Sequence, residues 1–162
     1  MTDAEARTMT LWIDADACPV KAEALRVGLR HRARVVMVSN GGIRPSAYPG
    51  AEVVVVPEGP DVADRHIAEG ARPGDVVVTA DIPLAARAVA AGARVVKPNG
   101  EALTERNVGA ALASRDLAAD LRAADPFRRG GGRPFGRADR ARFLDALERL
   151  LRRPTPRKPG SP

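Results

Sequence analysis

The sequence contains a single cysteine, Cys18, and only two histidines. One thiol excludes an intramolecular disulfide and a cysteine-rich zinc site. No apolar run approaches the length that a membrane-spanning helix requires, and residues 1–7 lack the apolar segment of a signal peptide. These absences predict a protein of the cytoplasm with no membrane contact. Cys18 itself is expected to be a small buried side chain rather than a nucleophile.

Aromatic side chains are also scarce, at 3% of the 162 residues. The core must therefore be built from Ala, Val, Leu and Ile, and 44% hydrophobic with 28% charged residues is typical of a globular domain. Aromatic residues interleaved with basic ones are almost absent, which leaves Phe127 and Phe135 as candidates for base stacking. Because base stacking needs aromatic side chains, little sequence-specific readout of a nucleic acid is expected.

The net charge of +6 is unevenly distributed. Residues 121–162 contain 12 Lys/Arg and 4 Asp/Glu, whereas residues 1–120 contain 14 and 16. A near-neutral body with a basic C-terminal quarter predicts a polyanionic partner such as nucleic acid. The alternative is genome composition, because the chain is rich in Arg and Ala and has only three lysines, Lys21, Lys97 and Lys158.

Short apolar runs alternate with helical patterns along the first hundred residues. Strands are predicted at 10–13, 34–38, 52–56, 75–79 and 93–96, and helices at 20–31, 61–71 and 84–91. This alternation predicts an α/β fold with a doubly wound, mostly parallel five-stranded sheet, in the expected order 3-2-1-4-5. The third strand, a continuous valine run, is expected to be buried on both faces.

We predict one domain over residues 9–153, with a flexible leader at 1–8 and a disordered tail at 154–162. Extra helices follow the sheet: one in pieces from 105 to about 124, with Thr104 as its N-cap, and an amphipathic one over 138–152. Residues 126–137 between them form a loop rich in Gly and Arg.

Acidic residues follow two of the predicted strands and open a helix between them. Asp14 and Asp16 follow the first strand, Asp81 follows the fourth, and Asp61 and Asp64 lie in the first turn of the intervening helix. In the expected strand order the first and fourth strands are neighbours at the point where the winding reverses, so Asp14 and Asp81 would face each other. The alternative for Asp16, Asp61, Asp64 and Asp81 is helix capping. Pro19 is expected at the first position of the helix after Asp16.

Converging carboxylates repel one another, and the usual compensation is a hard cation bound by oxygen atoms. We therefore predict a site for Mg²⁺ or Mn²⁺ held by Asp14, Asp64 and Asp81, with Asp16 completing the shell or orienting water. One or two such ions suit phosphodiester hydrolysis.

Several segments of the chain resemble a known family, the YaiI/YqxD family of uncharacterised bacterial proteins. They are Asp14–Lys21, Val38-Ser39-Asn40, Asp61-Val62-Ala63-Asp64, Gly74–Ala85, Asn99-Gly100-Glu101 and Asn107-Val108. That family resembles an outlying branch of the PIN-domain nucleases, relatives of the flap endonucleases. The resemblance implies a PIN-like fold and a metal-dependent nuclease, with Asp14, Asp64 and Asp81 at the positions of PIN acidic residues. A further acidic residue of many PIN domains is replaced here by Pro83, which leaves the number of metal ions open.

Polar residues near the same edge of the sheet are candidates for substrate contact. They are Lys21, Ser39, Asn40, Asp61, Thr79, Arg133 and Arg137. For the lysine and the arginines the alternative is a solvated surface, and Ser39 and Asn40 are equally compatible with a simple turn.

The expected function is a divalent-metal-dependent nuclease that cleaves phosphodiester bonds, with RNA as the expected substrate and partner. There are two alternatives. One is a nucleic-acid-binding module whose catalytic shell has decayed, which Pro83 suggests. The other is a haloacid-dehalogenase-like phosphatase, in which Asp14 would be the nucleophile and Asp16 the acid. The phosphatase would need a lysine near a later strand, and only Lys97 is available there. The oligomeric state is left open.

Overall fold

A computed structural model describes residues 8–59, 61–124 and 134–152. Its strands are β1 (Thr10–Asp14), β2 (Arg34–Ser39), β3 (Glu52–Val55), β4 (Val76–Val78), β5 (Arg94–Val96) and β6 (Ala102–Leu103). Its helices are α1 (Lys21–Arg30), α2 (Val62–Gly70), α3 (Ile82–Ala90), α4 (Val108–Ala124) and α5 (Arg137–Leu151). The leader, most of the Gly/Arg-rich loop and the tail lie outside the described residues, so the predictions for them are untested.

The strands form one six-stranded sheet in the order β3-β2-β1-β4-β5-β6. Neighbouring strands from β3 to β5 are parallel, and β6 pairs antiparallel with β5. The predicted doubly wound sheet and the order of its first five strands are therefore confirmed. The central strand β1 lies between β2 and β4, so its carboxyl end opens at the point where the winding reverses.

Alternate residues along the strands separate two apolar layers, as the twofold period of a strand requires. On one face, Leu11 and Ile13 join residues of α1 and α5, including Phe143 and Leu147. On the other face, Trp12 packs in the layer formed with α2 and α3. Burial on both faces explains why the middle of β1, residues 11–13, is an uninterrupted apolar run. Within the described residues, no helix is both long and apolar enough to cross a membrane.

Four sequence-based predictions of local structure were wrong. The edge strand β3 is not buried on both faces, because only β2 flanks it and Val55 is 58% exposed. The two-residue strand β6 was missed, because so short a segment has no periodicity. Helix α1 begins at Lys21 after the N-cap Val20, so Pro19 precedes the helix.

The fourth error concerns the start of α4. Thr104 is not its N-cap: the Asn107 side chain accepts a hydrogen bond from the Thr104 backbone N–H (2.7 Å) and donates one to the Ala102 carbonyl oxygen (2.9 Å). These bonds close a turn, so that the helix begins at Val108 and continues unbroken to Ala124.

Candidate active site

The carboxyl ends of β1 and β4 open into a cavity of about 380 Å³, which we call the acidic cleft. Five carboxylates line it: those of Asp14, Asp16, Asp61, Asp64 and Asp81. They come from the end of β1, the turn after it, the start of α2 and the end of β4. Among the described residues that line the acidic cleft, none is cationic. The structure therefore brings together every acidic residue that the sequence singled out.

Thr79 connects the two strands that carry the central carboxylates. Its hydroxyl donates a hydrogen bond to Asp14 Oδ2 (2.9 Å) and accepts one from the Asp81 backbone N–H (2.9 Å). Thr79 is only 1% exposed. It is thus placed behind the carboxylates, where it orients the Asp14 carboxylate and holds the backbone of Asp81, and not on the surface that a substrate would reach.

Asp16 is fixed by the end of β2. Its carboxylate accepts a hydrogen bond from the Ser39 hydroxyl (2.6 Å) and from the Asn40 backbone N–H (2.9 Å to Oδ2). The capping alternative for Asp16 is wrong, because α1 begins at Lys21 and has no side-chain cap. Ser39 is 1% exposed and, like Thr79, supports a carboxylate from behind. Asn40 itself lines the acidic cleft.

Asp61 and Asp81 occupy the N-cap positions of α2 and α3 but behave differently. Asp81 caps its helix, since Oδ1 accepts a hydrogen bond from the Leu84 N–H (2.9 Å). Asp61 makes no capping bond and adopts a left-handed backbone conformation, with φ of 64°. The capping alternative thus holds for Asp81 alone, and Asp81 both caps α3 and lines the acidic cleft.

Among the five carboxyl groups of the acidic cleft, that of Asp64 has the most strongly raised pKa. Burial is the main cause that raises its pKa to about 7, followed by a hydrogen bond with the Asp81 carboxyl group and repulsion from Asp81, Asp14 and Asp61. Burial also raises the pKa of Asp14, against the stabilising hydrogen bond from Thr79. Crowding of like charges at a partly buried edge therefore favours a proton or a cation in the acidic cleft.

The donor set of the acidic cleft consists of carboxylate oxygens, the ligands that Mg²⁺ and Mn²⁺ prefer. In the part of the chain that is described, no three carboxylate, imidazole or thiol groups are already grouped as a metal site. Mg²⁺ commonly retains several waters and binds through one or two carboxylates. The residues present therefore fit a cation that is bound through few protein ligands and largely through water.

Where the structure describes them, the basic residues predicted to contact substrate do not line the acidic cleft. Lys21 lies beside the acidic cleft, where its Nζ donates to the Cys18 carbonyl oxygen (2.7 Å). Arg137 is exposed at the start of α5 and is absent from the described residues that line the cleft. Arg133 lies outside the described residues. Lys97, which the phosphatase alternative requires, is paired with Glu101 (3.2 Å) and does not line the acidic cleft.

Two features near the strand ends escaped the sequence analysis. Asp75, at the opposite end of β4, is 4% exposed and accepts hydrogen bonds from the Thr10 and Arg72 backbone N–H groups and from Trp12 Nε1, at 3.0–3.1 Å. Its signal was an acidic residue directly before a buried valine run. Arg44 and Tyr48 line a second pocket beside the acidic cleft, and no motif marked them.

Comparison with known proteins gives one family. Residues 12–153 match the model of a family described as uncharacterised BCR, YaiI/YqxD family. A UPF0178 protein of Cereibacter sphaeroides strain ATCC 17025 is 73% identical over 143 residues, which cover 88% of this chain and 89% of the relative. A UPF0178 protein of Roseobacter denitrificans is 67% identical, over 88% and 95% of the two chains. One of Parvibaculum lavamentivorans is 49% identical, over 90% and 98%. No solved structure matches the chain.

Proposed function

The chain belongs to the YaiI/YqxD family, and on the geometry of its acidic cleft we propose that it is a divalent-metal-dependent nuclease that hydrolyses phosphodiester bonds, with RNA as substrate. The observation that carries the proposal is the convergence of five carboxylates, with no cation among the described lining residues, at the carboxyl edge of a parallel sheet. Ligands of open α/β sheets bind at that edge. We place the activity in the cytoplasm.

Asp14, Asp64 and Asp81 would hold Mg²⁺ or Mn²⁺, in part through water bound to the ion. A bound ion supplies an activated water and stabilises charge on the attacking and leaving oxygens. Thr79 keeps Asp14 and Asp81 in register, since one hydroxyl contacts both residues. Asp16, fixed by Ser39 and Asn40, faces the same acidic cleft and would orient the attacking water.

The pKa of Asp64 supports the assignment of a cation site. A carboxyl group with a pKa raised to about 7 is protonated in a large fraction of molecules at neutral pH. A divalent ion would displace that proton, because metal ligands bind in their deprotonated form. Metal affinity is therefore expected to rise with pH through this range.

Nucleic acid is the proposed substrate because the chain combines an acidic cleft with a concentration of positive charge in its sequence. The C-terminal quarter of the chain carries 12 Lys/Arg against 4 Asp/Glu. Arg137 presents an exposed guanidinium at the start of α5. Backbone phosphates bound by such groups would release counterions, so binding is expected to weaken as the salt concentration rises.

The test is cleavage of 5′-labelled single-stranded RNA by the purified protein in MgCl₂ or MnCl₂. We expect cleavage that EDTA abolishes and that Asp14→Asn reduces by about 100-fold or more, since metal ions contribute several kcal/mol of transition-state stabilisation. The matched control is Asp145→Asn, which removes an exposed carboxylate of α5 outside the cleft. Equal cleavage by the wild type and Asp14→Asn would contradict the proposal.

A second candidate is a catalytically decayed nucleic-acid-binding module. It is favoured by Pro83, which occupies the first turn of α3 beside Asp81, and by the lack of three grouped ligands among the described residues. Salt-sensitive RNA binding that persists in EDTA, with no cleavage under any metal, would support this candidate over the nuclease.

A further inference from the structure

A second pocket, of about 360 Å³, adjoins the acidic cleft. The two share Asp16, whose carboxylate is held by the Ser39 hydroxyl at the boundary. Polar and aromatic side chains line this second pocket, among them Lys21, Arg44 and Tyr48. We call it the side pocket.

The side pocket is lined by two cations, Lys21 and Arg44, against the single carboxylate of Asp16, whereas no cation is among the described residues that line the acidic cleft. Lys21 uses one donor on the Cys18 carbonyl oxygen, so its ammonium group retains donors for another acceptor. Arg44 is exposed and makes no ion pair with any described carboxylate. Two cations beside an acidic metal site are suited to an anionic ligand that occupies both the side pocket and the acidic cleft.

Tyr48, the only tyrosine of the chain, gives the side pocket an aromatic ring on the connection between β2 and β3. The ring packs partly against the core. The backbone around it is fixed by hydrogen bonds from the Tyr48 N–H to the Pro45 carbonyl oxygen and from the Ala51 N–H to the Tyr48 carbonyl oxygen, each 3.1 Å. Gly42, with φ of +77°, has open space where a side chain would lie, so the pocket is accessible from that side.

We propose that the side pocket binds the nucleotide next to the scissile phosphate of a single-stranded nucleic acid. Lys21 and Arg44 bind its phosphate, and Tyr48 stacks on its base. The volume lies at the small end of the roughly 300–1,000 Å³ of ligand sites, which is suitable for one nucleotide. Stacking on one ring accepts any base, since every base has a π-face. The inference rests on the proposed function, because it takes the acidic cleft as the place of cleavage.

The experiment measures binding of a fluorescein-labelled single-stranded oligoadenylate by fluorescence anisotropy, in MgCl₂, across a series of salt concentrations. All variants carry Asp14→Asn, so that the RNA is not cut. Arg44→Ala is expected to weaken binding about fivefold or more and to reduce the slope of log K against log salt by about 0.7, the value for one phosphate contact on a single strand. A purely structural role would leave that slope unchanged.

The tyrosine is tested by a matched pair. Tyr48→Leu keeps an apolar side chain against the core but removes the ring, and we expect binding to weaken about fivefold or more. Tyr48→Phe keeps the ring and is expected to retain the affinity. Arg26→Ala, which removes an exposed arginine of α1 outside the side pocket, serves as the charge control. Thermal unfolding of each variant checks that the fold is retained.

The outcomes separate the side pocket from the nuclease. If Arg44→Ala and Tyr48→Leu bind as tightly as Arg26→Ala, or if the oligonucleotide does not bind at all, the side pocket is not a nucleotide site. If the two variants lose affinity although the wild type cuts no RNA in any metal, the side pocket is supported and the nuclease is contradicted. Metal-dependent cleavage by the wild type, with unchanged binding in both variants, would support the nuclease and contradict the side pocket.

Discussion

Replacing Asp64 by Asn should stabilise the metal-free protein, although the change removes a carboxylate of the proposed metal site. The folded protein raises the pKa of Asp64 from 3.8 to about 7, first through burial and then through the neighbouring carboxylates. The folded state therefore prefers the protonated carboxyl group more strongly than the unfolded chain does. The stability that Asp64 contributes is complete below about pH 4, falls as the pH rises, and is lost above about pH 7.

The magnitude follows from the size of the shift. One pKa unit corresponds to 1.36 kcal/mol, so a shift from 3.8 to about 7 would amount to about 4 kcal/mol for a fully buried group. Asp64 is only half-buried, and solvent screening reduces the expected value to about 1–2 kcal/mol. Because Asn does not titrate, Asp64→Asn should gain that amount at pH 8.5 and clearly less at pH 4.5, where part of the stability from the protonated carboxyl group remains.

The assay is thermal or urea unfolding in EDTA at both pH values, with Asp145→Asn as the matched control. For a chain of this length, 1–2 kcal/mol corresponds to a rise in Tm of about 3–6 °C. Excess Mg²⁺ or Mn²⁺ should reverse the order, because the wild type gains binding energy that the variant lacks. A stability gain that is equal at pH 4.5 and 8.5, or no gain at all, would refute the claim that the acidic cleft concentrates repelling charge.

Three further predictions concern the rest of the domain. Asp75→Asn should lower the free energy of unfolding by about 2–3 kcal/mol in urea titrations, because an amide offers one acceptor oxygen to three donors; a loss under about 0.5 kcal/mol would contradict the buried network. Gly100→Ala should lower the free energy of unfolding by about 2 kcal/mol or more, since φ is +91° and a Cβ would lie 2.5 Å from the backbone of α5. Gly109 has open space around it, so Gly109→Ala should not lower the free energy of unfolding. Burial raises the pKa of the Cys18 thiol to about 11, so iodoacetamide should alkylate the native protein far more slowly than the unfolded chain at pH 8; equal rates would contradict the burial.

The sequence predicted the main elements because their signals are local. Apolar runs bounded by Gly, Pro and Asp marked the parallel strands. The direction in which successive strands are added to the sheet reverses between β1 and β4. The confirmed strand order places the residues after β1 and β4 at one edge, which is why acidic residues distant in sequence share one cleft. A local signal also ends α3, because Gly92 follows its C-cap with a φ of +89°, a conformation that other residues avoid.

Other features depend on long-range contacts that no local pattern encodes. The exposure of Val55 follows from its place in the edge strand β3 and not from its valine-rich sequence. Asp16 could have capped α1, and only the approach of β2 gives its carboxylate the donors that hold it. Arg44 and Tyr48 lie in an irregular connection, and their shared pocket exists only once that connection is folded beside Asp16.

The most direct test of a cation in the acidic cleft is anomalous diffraction from a crystal of the protein soaked in MnCl₂. We expect a peak between β1 and β4 that is within coordination distance of carboxylate oxygens of at least two of Asp14, Asp64 and Asp81, and that disappears in crystals of Asp14→Asn. An acidic cleft without a peak at millimolar Mn²⁺, or Mn²⁺ bound only elsewhere on the surface, would contradict the assignment.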